Sequence, residues 1–282
     1  MRPSTFTLHG RPYAALEWGE RGGVPTVLLH GYLDHAGAWS RVAPGLSGWV
    51  LAYDHRGHGL SPHCGPGESY HFADYLADLD ALLAQIGPAK LVGHSMGGTI
   101  ASMYAGVRPD RVVALVTVDG LGLFDSSTQS AERMTQFLDE VARPPVNKVF
   151  SSIDAAAARL RHSNPALDEA WARALAERTL RPVEGGFTWT WDARHRIRGP
   201  IPYRHDNHAQ FLRRIRCPAL AVHPEHSPFA AADVATLESQ VAGLVRVTIP
   251  GATHMVHLDA PSELAAAIRP FLDGIDEVPS AG

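Results

Sequence analysis

The sequence predicts an α/β fold: a mostly parallel central sheet flanked by helices, with an inserted helical cap. Three observations carry this. Short apolar runs alternate with longer segments, the pattern of buried parallel strands joined by helical crossovers. One crossover, Phe72 to Ile86, sets Tyr75, Leu79, Leu82, Leu83 and Ile86 on one helical face, and Gly87-Pro88 stops it. A strand–turn–helix unit carries Gly93-His94-Ser95-Met96-Gly97, where flanking glycines let strand and helix approach closely around an exposed serine.

The elements follow in order. Residues 5–18 read as a hairpin turning at His9-Gly10. The runs 24–30, 49–54, 89–94 and 112–119 read as strands, the first ending in Gly31 and the second at DHRGHG. After Asp119 the alternation stops. Residues 122–206 hold no convincing buried strand, but contain Ala-rich stretches (Ile153 to Leu160, Leu167 to Leu180) and the aromatic run FTWTWD. This stretch is expected to be a mostly helical cap, with residues 1–121 and 207–282 forming the core domain. Alternation resumes with Pro218 to His223, a helix near 230–241, Val245 to Ile249 and a closing helix from Pro261 to Leu272. An insertion at such a point commonly covers the strand ends, where sites lie.

The chain has 282 residues, 45% of them hydrophobic, and a formal net charge of −4. That balance gives no electrostatic reason to expect a nucleic-acid partner. No apolar stretch reaches the length of a membrane span, and MRPSTFTLHGRPY lacks the apolar core of a signal peptide, so a cytoplasmic protein is expected. Cys64 and Cys217 are not in CxxC spacing and read as filler in a reducing compartment. The 16 histidines include the HxxH pairs His55/His58, His205/His208, His223/His226 and His254/His257. None has a third ligand at a recognisable offset, so neither a metal nor another cofactor is expected.

Ser95 is the candidate nucleophile. A serine hydroxyl is weak and needs a base, which in this kind of site comes last, after the acid. His254, in PGATH just beyond the run VRVTI, is the candidate. His257 is expected to be packed or to cap the helix that starts near Pro261. Two backbone N–H groups should receive the oxyanion: Met96 after the nucleophile, and Tyr32 in the loop after LLHG, with Leu33 in reserve. Leu33, Phe124, Trp189 and Trp191, with Phe187, are candidates to line an apolar pocket, although a run such as FTWTWD is more often cap core.

His30-Gly31, Asp54-x-Arg56-Gly57-x-Gly59-x-Ser61, the GHSMGG elbow and the terminal GATH resemble the α/β-hydrolase superfamily over residues 24 to 271. HGYLDHAGAW, the stretch from Tyr70 to Val118 and the segment ending GFTWTWDARHRIR look like its serine hydrolase-like group, whose substrates are poorly defined. The resemblance implies a structural role for the Asp54/Arg56 turn. It also implies cofactor-free hydrolysis of an ester or related acyl bond in a small, apolar substrate. Many relatives carry the acid a few residues past the strand that follows the cap, where this chain has Ser227. Another known placement is just after the strand following the elbow, where Asp119 stands. Asp119 is therefore the expected acid, with Glu225 and Asp233 as alternatives. Three rivals share the layout: a cofactor-free dioxygenase, a C–C hydrolase or lyase, and a ligand-binding module with little turnover.

Overall fold

A computed structural model describes residues 1–65, 67–122, 124–126 and 130–275. Strands β1 (Arg2–Leu8) and β2 (Arg11–Trp18) form the opening hairpin, with Leu8 opposite Arg11. Its two turn residues, His9 and Gly10, have φ of 51° and 75°, the left-handed pair that matches strand twist in a two-residue hairpin. Strands β3 (Thr26–Leu29), β4 (Val50–Tyr53), β5 (Ala89–His94) and β6 (Val112–Val118) follow. Helix α1 (Phe72–Ile86) precedes β5, and α2 (Met96–Val107) joins β5 to β6.

The stretch after β6 holds α3 (Ser130–Ala142), β7 (Val149–Phe150), α4 (Ile153–Ser163), α5 (Glu169–Thr179), β8 (Leu180–Val183) and β9 (Gly186–Trp189). Helices α4 and α5 match the two Ala-rich stretches. Ala156, Ala157, Ala172 and Ala176 are buried, and their small side chains let the two helices pack closely. Ser152 and Asp168 cap them by accepting the N–H groups of Ala155 and Trp171. One feature departs from the helical expectation: β7, β9 and β8 form a small antiparallel sheet. Helix α3 fits it, although it lies outside the Ala-rich stretches. Strands of two to four residues are too short to show a period of two. Helix α6 (His205–Leu212) also runs across the expected boundary at 206.

The chain returns to the main sheet through β10 (Ala219–His226), α7 (Ala231–Glu238), β11 (Val245–Thr253), α8 (Val256–Asp259) and α9 (Pro261–Asp273). Strand β11 outlasts its apolar run because pairing with β10 resumes after an irregularity, His226 opposite Thr253. The described residues of this sheet have the order β1-β2-β4-β3-β5-β6-β10-β11, parallel from β4 onward.

Successive strand residues serve opposite faces. Leu29, Leu51 and Leu91 join Leu79, Ile100 and Tyr104 on one side. Leu28, Ala52 and Val92 join Trp39, Val222 and Ile268 on the other. Helices on both faces explain why β3, β4 and β6 are buried along their whole length and apolar but for Thr26 and Thr117. From β3 the chain moves to β4 on one side, and from β5 to β6 on the other. That reversal opens a crevice beyond the carboxyl ends of β3 and β5, the usual place for a ligand in an open α/β sheet. Among the described residues no helix is long and apolar enough to cross a membrane.

Candidate active site

Ser95 stands between β5 and α2 with φ 50° and ψ −117°, a backbone conformation an L-residue adopts only when its surroundings impose it. Here they do. Its N–H donates to Val118 O at 3.0 Å, and its carbonyl accepts from Gly98 and Thr99 at 2.9 and 3.1 Å. A Cβ at Gly93 would fall 2.3 Å from Gly97 O, and one at Gly97 would fall 2.2 Å from Leu29 O. Only glycine permits the tight approach that leaves Ser95 proud of the sheet. Leu33 and Asp119 share the left-handed region, at φ 56° and 45°. Apart from the hairpin's His9, these are the non-glycine residues with positive φ among those described, and all three border this crevice.

Asp119 follows β6 and His254 follows β11, so three strand ends converge. His254 Nδ1 lies 2.6 Å from Asp119 Oδ2, and Nε2 lies 3.0 Å from Ser95 Oγ. An ionised carboxylate can only accept, so Nδ1 carries the proton and Nε2 offers its lone pair to the serine hydroxyl. The Asp119 side chain is 2% exposed and that of His254 28%; the carboxylate is sealed in while the imidazole meets solvent. The His254 turn is closed by Thr253, whose N–H donates to Asp259 Oδ2 at 2.9 Å.

Neighbouring groups fix this arrangement. His94 Nε2 lies 2.8 Å from the His254 carbonyl and therefore donates to it. Burial, with His257 and His254 nearby, holds the His94 pKa well below the usual imidazole value, which keeps the ring neutral. His257 is fully buried and its Nε2 lies 2.9 Å from Asp34 Oδ2; it is packed, with its ring 4.2 Å from that of His94. Ser227 Oγ lies 2.8 Å from Asp119 Oδ1. In the sequence Ser227 stands out only as the residue where an acid is expected; nothing in its spacing signals this bond.

The remaining candidates fall as follows. Met96 opens α2, so its N–H is one of the amides a helix start leaves without an intrahelical acceptor. Among the described residues the Tyr32 N–H meets no acceptor, whereas Leu33 N–H donates to His58 Nε2 at 3.2 Å. Glu225 accepts the Gly251 N–H at 2.7 Å, and Asp233 is exposed on α7; neither is brought to His254. Phe124 is exposed and lies against Phe229 at 4.9 Å, and Phe229 lies 5.6 Å from the His254 ring. Trp189 packs on Phe150 at 4.9 Å within the small core of the inserted stretch, and Trp191 faces the Arg196 guanidinium at 5.5 Å. A cavity of about 20 Å³ opens beside Asp119, lined by Thr117, Leu121, Phe124, Phe229 and Leu237 among others. It has room for a water, not for an acyl chain.

The Asp54 turn is occupied by backbone. Asp54 accepts the N–H groups of Ala36 and Leu60, and Arg56 makes two bonds to Asp78 at 2.7 and 2.6 Å. Members of the HxxH pairs have partners elsewhere: His58 accepts the Leu33 N–H and its ring lies tilted against that of His195 at 3.9 Å, while His223 Nε2 lies 2.6 Å from Glu238. Asp34, His94 and His257 bring one possible ligand atom each to within 4.8 Å of one another, a grouping of distant residues that no spacing could reveal. In it, His257 Nε2 lies 2.9 Å from Asp34 Oδ2, while the Nδ1 atoms of His94 and His257 are buried without a hydrogen-bond partner among the described residues.

Comparison with known proteins adds a family to this geometry. Residues 24–261 match the model of the α/β hydrolase fold family. A serine hydrolase-like protein of Danio rerio is 28% identical, covering 90% of this chain and 83% of that protein. Serine hydrolase-like protein 2 of Homo sapiens is 27% identical, covering 95% and 92%. Among solved structures, the thioesterase domain from the curacin biosynthetic pathway superposes with a TM-score of 0.87 at 30% identity, covering 95% of this chain and 99% of that one.

Proposed function

The chain belongs to the α/β-hydrolase fold family, and from that membership we propose that it is a serine hydrolase cleaving an ester or related acyl bond of a small, apolar substrate. The observation that carries this is the relay of Ser95, His254 and Asp119, linked at 3.0 and 2.6 Å from three separate strand ends. Ser95 Oγ attacks the acyl carbon as His254 Nε2 takes its proton. Asp119 holds the ring in the required tautomer and stabilises the imidazolium. The N–H groups of Met96 and Tyr32 receive the oxyanion. His254 then returns the proton to the leaving group, and water repeats the sequence on the acyl-enzyme.

The inserted stretch 122–206 acts as a cap. Its core includes Ala38 and Leu258 of the main body, and its Tyr203 carbonyl accepts the Ser126 N–H, which ties its two ends together. The free thiols of Cys64 and Cys217 fit a reducing compartment such as the cytoplasm.

A second reading, thioester cleavage, rests on the likeness to the curacin thioesterase domain; the same relay serves a sulfur leaving group. The test is a panel of p-nitrophenyl esters and acyl thioesters graded by acyl length, with dissolved oxygen monitored. Acid release without oxygen uptake is expected, with one of the two series preferred. No turnover of any member, or turnover only of heteroaromatic compounds with oxygen consumed, would overturn the proposal.

A further inference from the structure

Ser227 follows β10, the strand whose Val222 carbonyl accepts the Asp119 N–H at 2.9 Å. Its Oγ lies 2.8 Å from Asp119 Oδ1 and accepts the Phe229 N–H at 3.1 Å. The second bond closes a small serine turn of the kind loops often contain. A turn alone accounts for the amide but not for the carboxylate. An ionised carboxylate has no proton to give, so the Ser227 hydroxyl is the donor, and the Phe229 amide on its lone pair steers the O–H toward Asp119. The two oxygens of Asp119 are thus divided: Oδ1 takes Ser227 and Oδ2 takes His254 Nδ1. The carboxylate is almost fully buried, and its backbone is held at φ 45°. A donor lost at such a place is not replaced at no cost by bulk water.

We propose that Ser227 is a positioning residue: its hydroxyl fixes the Asp119 carboxylate against His254 and tempers the basicity that Asp119 passes to it. This rests on the reading of Ser95, His254 and Asp119 as the reacting relay. The sign follows from charge. A hydrogen bond from Ser227 spreads the negative charge of Asp119, so the carboxylate stabilises the imidazolium less. Without Ser227 the imidazolium is favoured more, and His254 loses its proton only at higher pH. Other titratable groups surround the pair: His94 on β5, whose ring is 4.8 Å from that of His254, and His257 on α8, bonded to Asp34. His223 on β10, Asp233 on α7 and His205 on α6 line the cavity beside Asp119. Substituting Ser227 leaves all of them in place.

The test uses the full chain with p-nitrophenyl butyrate from pH 5 to 9. Ser227→Ala is expected to lower kcat roughly tenfold, the scale of one charge-assisted hydrogen bond, with KM little changed. It should also move the acid limb of kcat/KM upward by about half a pH unit or more, consistent with a lost bond to the charged form. Ser227→Thr, which keeps the hydroxyl, should restore both. Ser227→Cys retains the size with a weaker donor and should shift the limb in the same direction if the alanine variant folds poorly. An unmoved acid limb in folded Ser227→Ala and Ser227→Cys, with only thermal stability reduced, overturns the inference. Asp119→Asn separates the two failures. If it abolishes turnover while the Ser227 variants keep the wild-type limb, only the role of Ser227 falls. If it keeps near-normal turnover, the relay itself is wrong.

Discussion

Asp119 carries the heaviest demand of any side chain in the proposed reaction, because it must stay ionised in a buried site and hold one imidazole tautomer. In the serine-protease case, loss of that carboxylate costs about four orders of magnitude in turnover. Asp119→Asn is expected to lower kcat by a factor of that kind with little change in Tm. Glu225→Gln should change neither, because Glu225 accepts the Gly251 N–H and does not face His254. Steady-state rates and melting curves of both variants check this; an inactive Glu225 variant beside an active Asp119 variant would reverse the assignment. At this scale legibility followed local constraint. The strained turn at Ser95 was legible because Gly93 and Gly97 advertise it, and the place of His254 beyond the strand end because it follows the last apolar run. The bond from Ser227 to Asp119 was not legible, since a serine in a loop has no period and its partner lies far away along the chain. The freedom of Tyr32 N–H over Leu33 N–H was hidden for a related reason: it depends on where the His58 ring ends up.

Elements were readable where burial on one or both faces imposed a period. Helix α1 occupies the residues its apolar stripe marked out, and the buried strands β3 to β6 coincide with their apolar runs within a few residues. In the inserted stretch the rule weakens. The described residues of α3 include no buried side chain, and β7 to β9 are too short to alternate visibly. Trp189 illustrates the consequence. Its aromatic run suggested either a pocket or a core, and the ring packs on Phe150 beside β9. Trp189→Ala is therefore expected to destabilise the chain by about 2–3 kcal/mol, below the usual range for a fully buried aromatic. The preference among acyl chains should stay fixed. Trp191→Ala, which removes a ring facing Arg196, should cost about 1 kcal/mol or less. Denaturant melts and the graded ester panel decide between the readings. A shifted acyl preference with unchanged stability would make these residues pocket walls.

Across the whole molecule, buried histidines link core and insertion, with the His58 ring 3.9 Å from that of His195, and they bear on how stability should vary with pH. Burial pushes His58 and His208 down to about 4 and His55 to about 3. His195, from the inserted stretch, is lowered too; its ring lies tilted against His58 at 3.9 Å and stacked on Tyr70 at 3.7 Å. In an unfolded chain each imidazole titrates near its ordinary value of about 6.5. Between that pH and about 4 the unfolded chain binds protons that the folded one refuses, so stability falls as pH falls. Tm is expected to be level above pH 7 and to drop progressively from about 6.5 toward 4; a level Tm down to pH 4.5 would show that these rings are protonated without penalty. The central claim, that Ser95 forms a covalent acyl intermediate, is tested most directly on the intact chain with a fluorophosphonate and mass spectrometry. The expected result is one adduct per chain, mapped to Ser95 and absent from Ser95→Ala. Labelling that persists at another serine in that variant, or an active wild-type protein that takes no label, would contradict it.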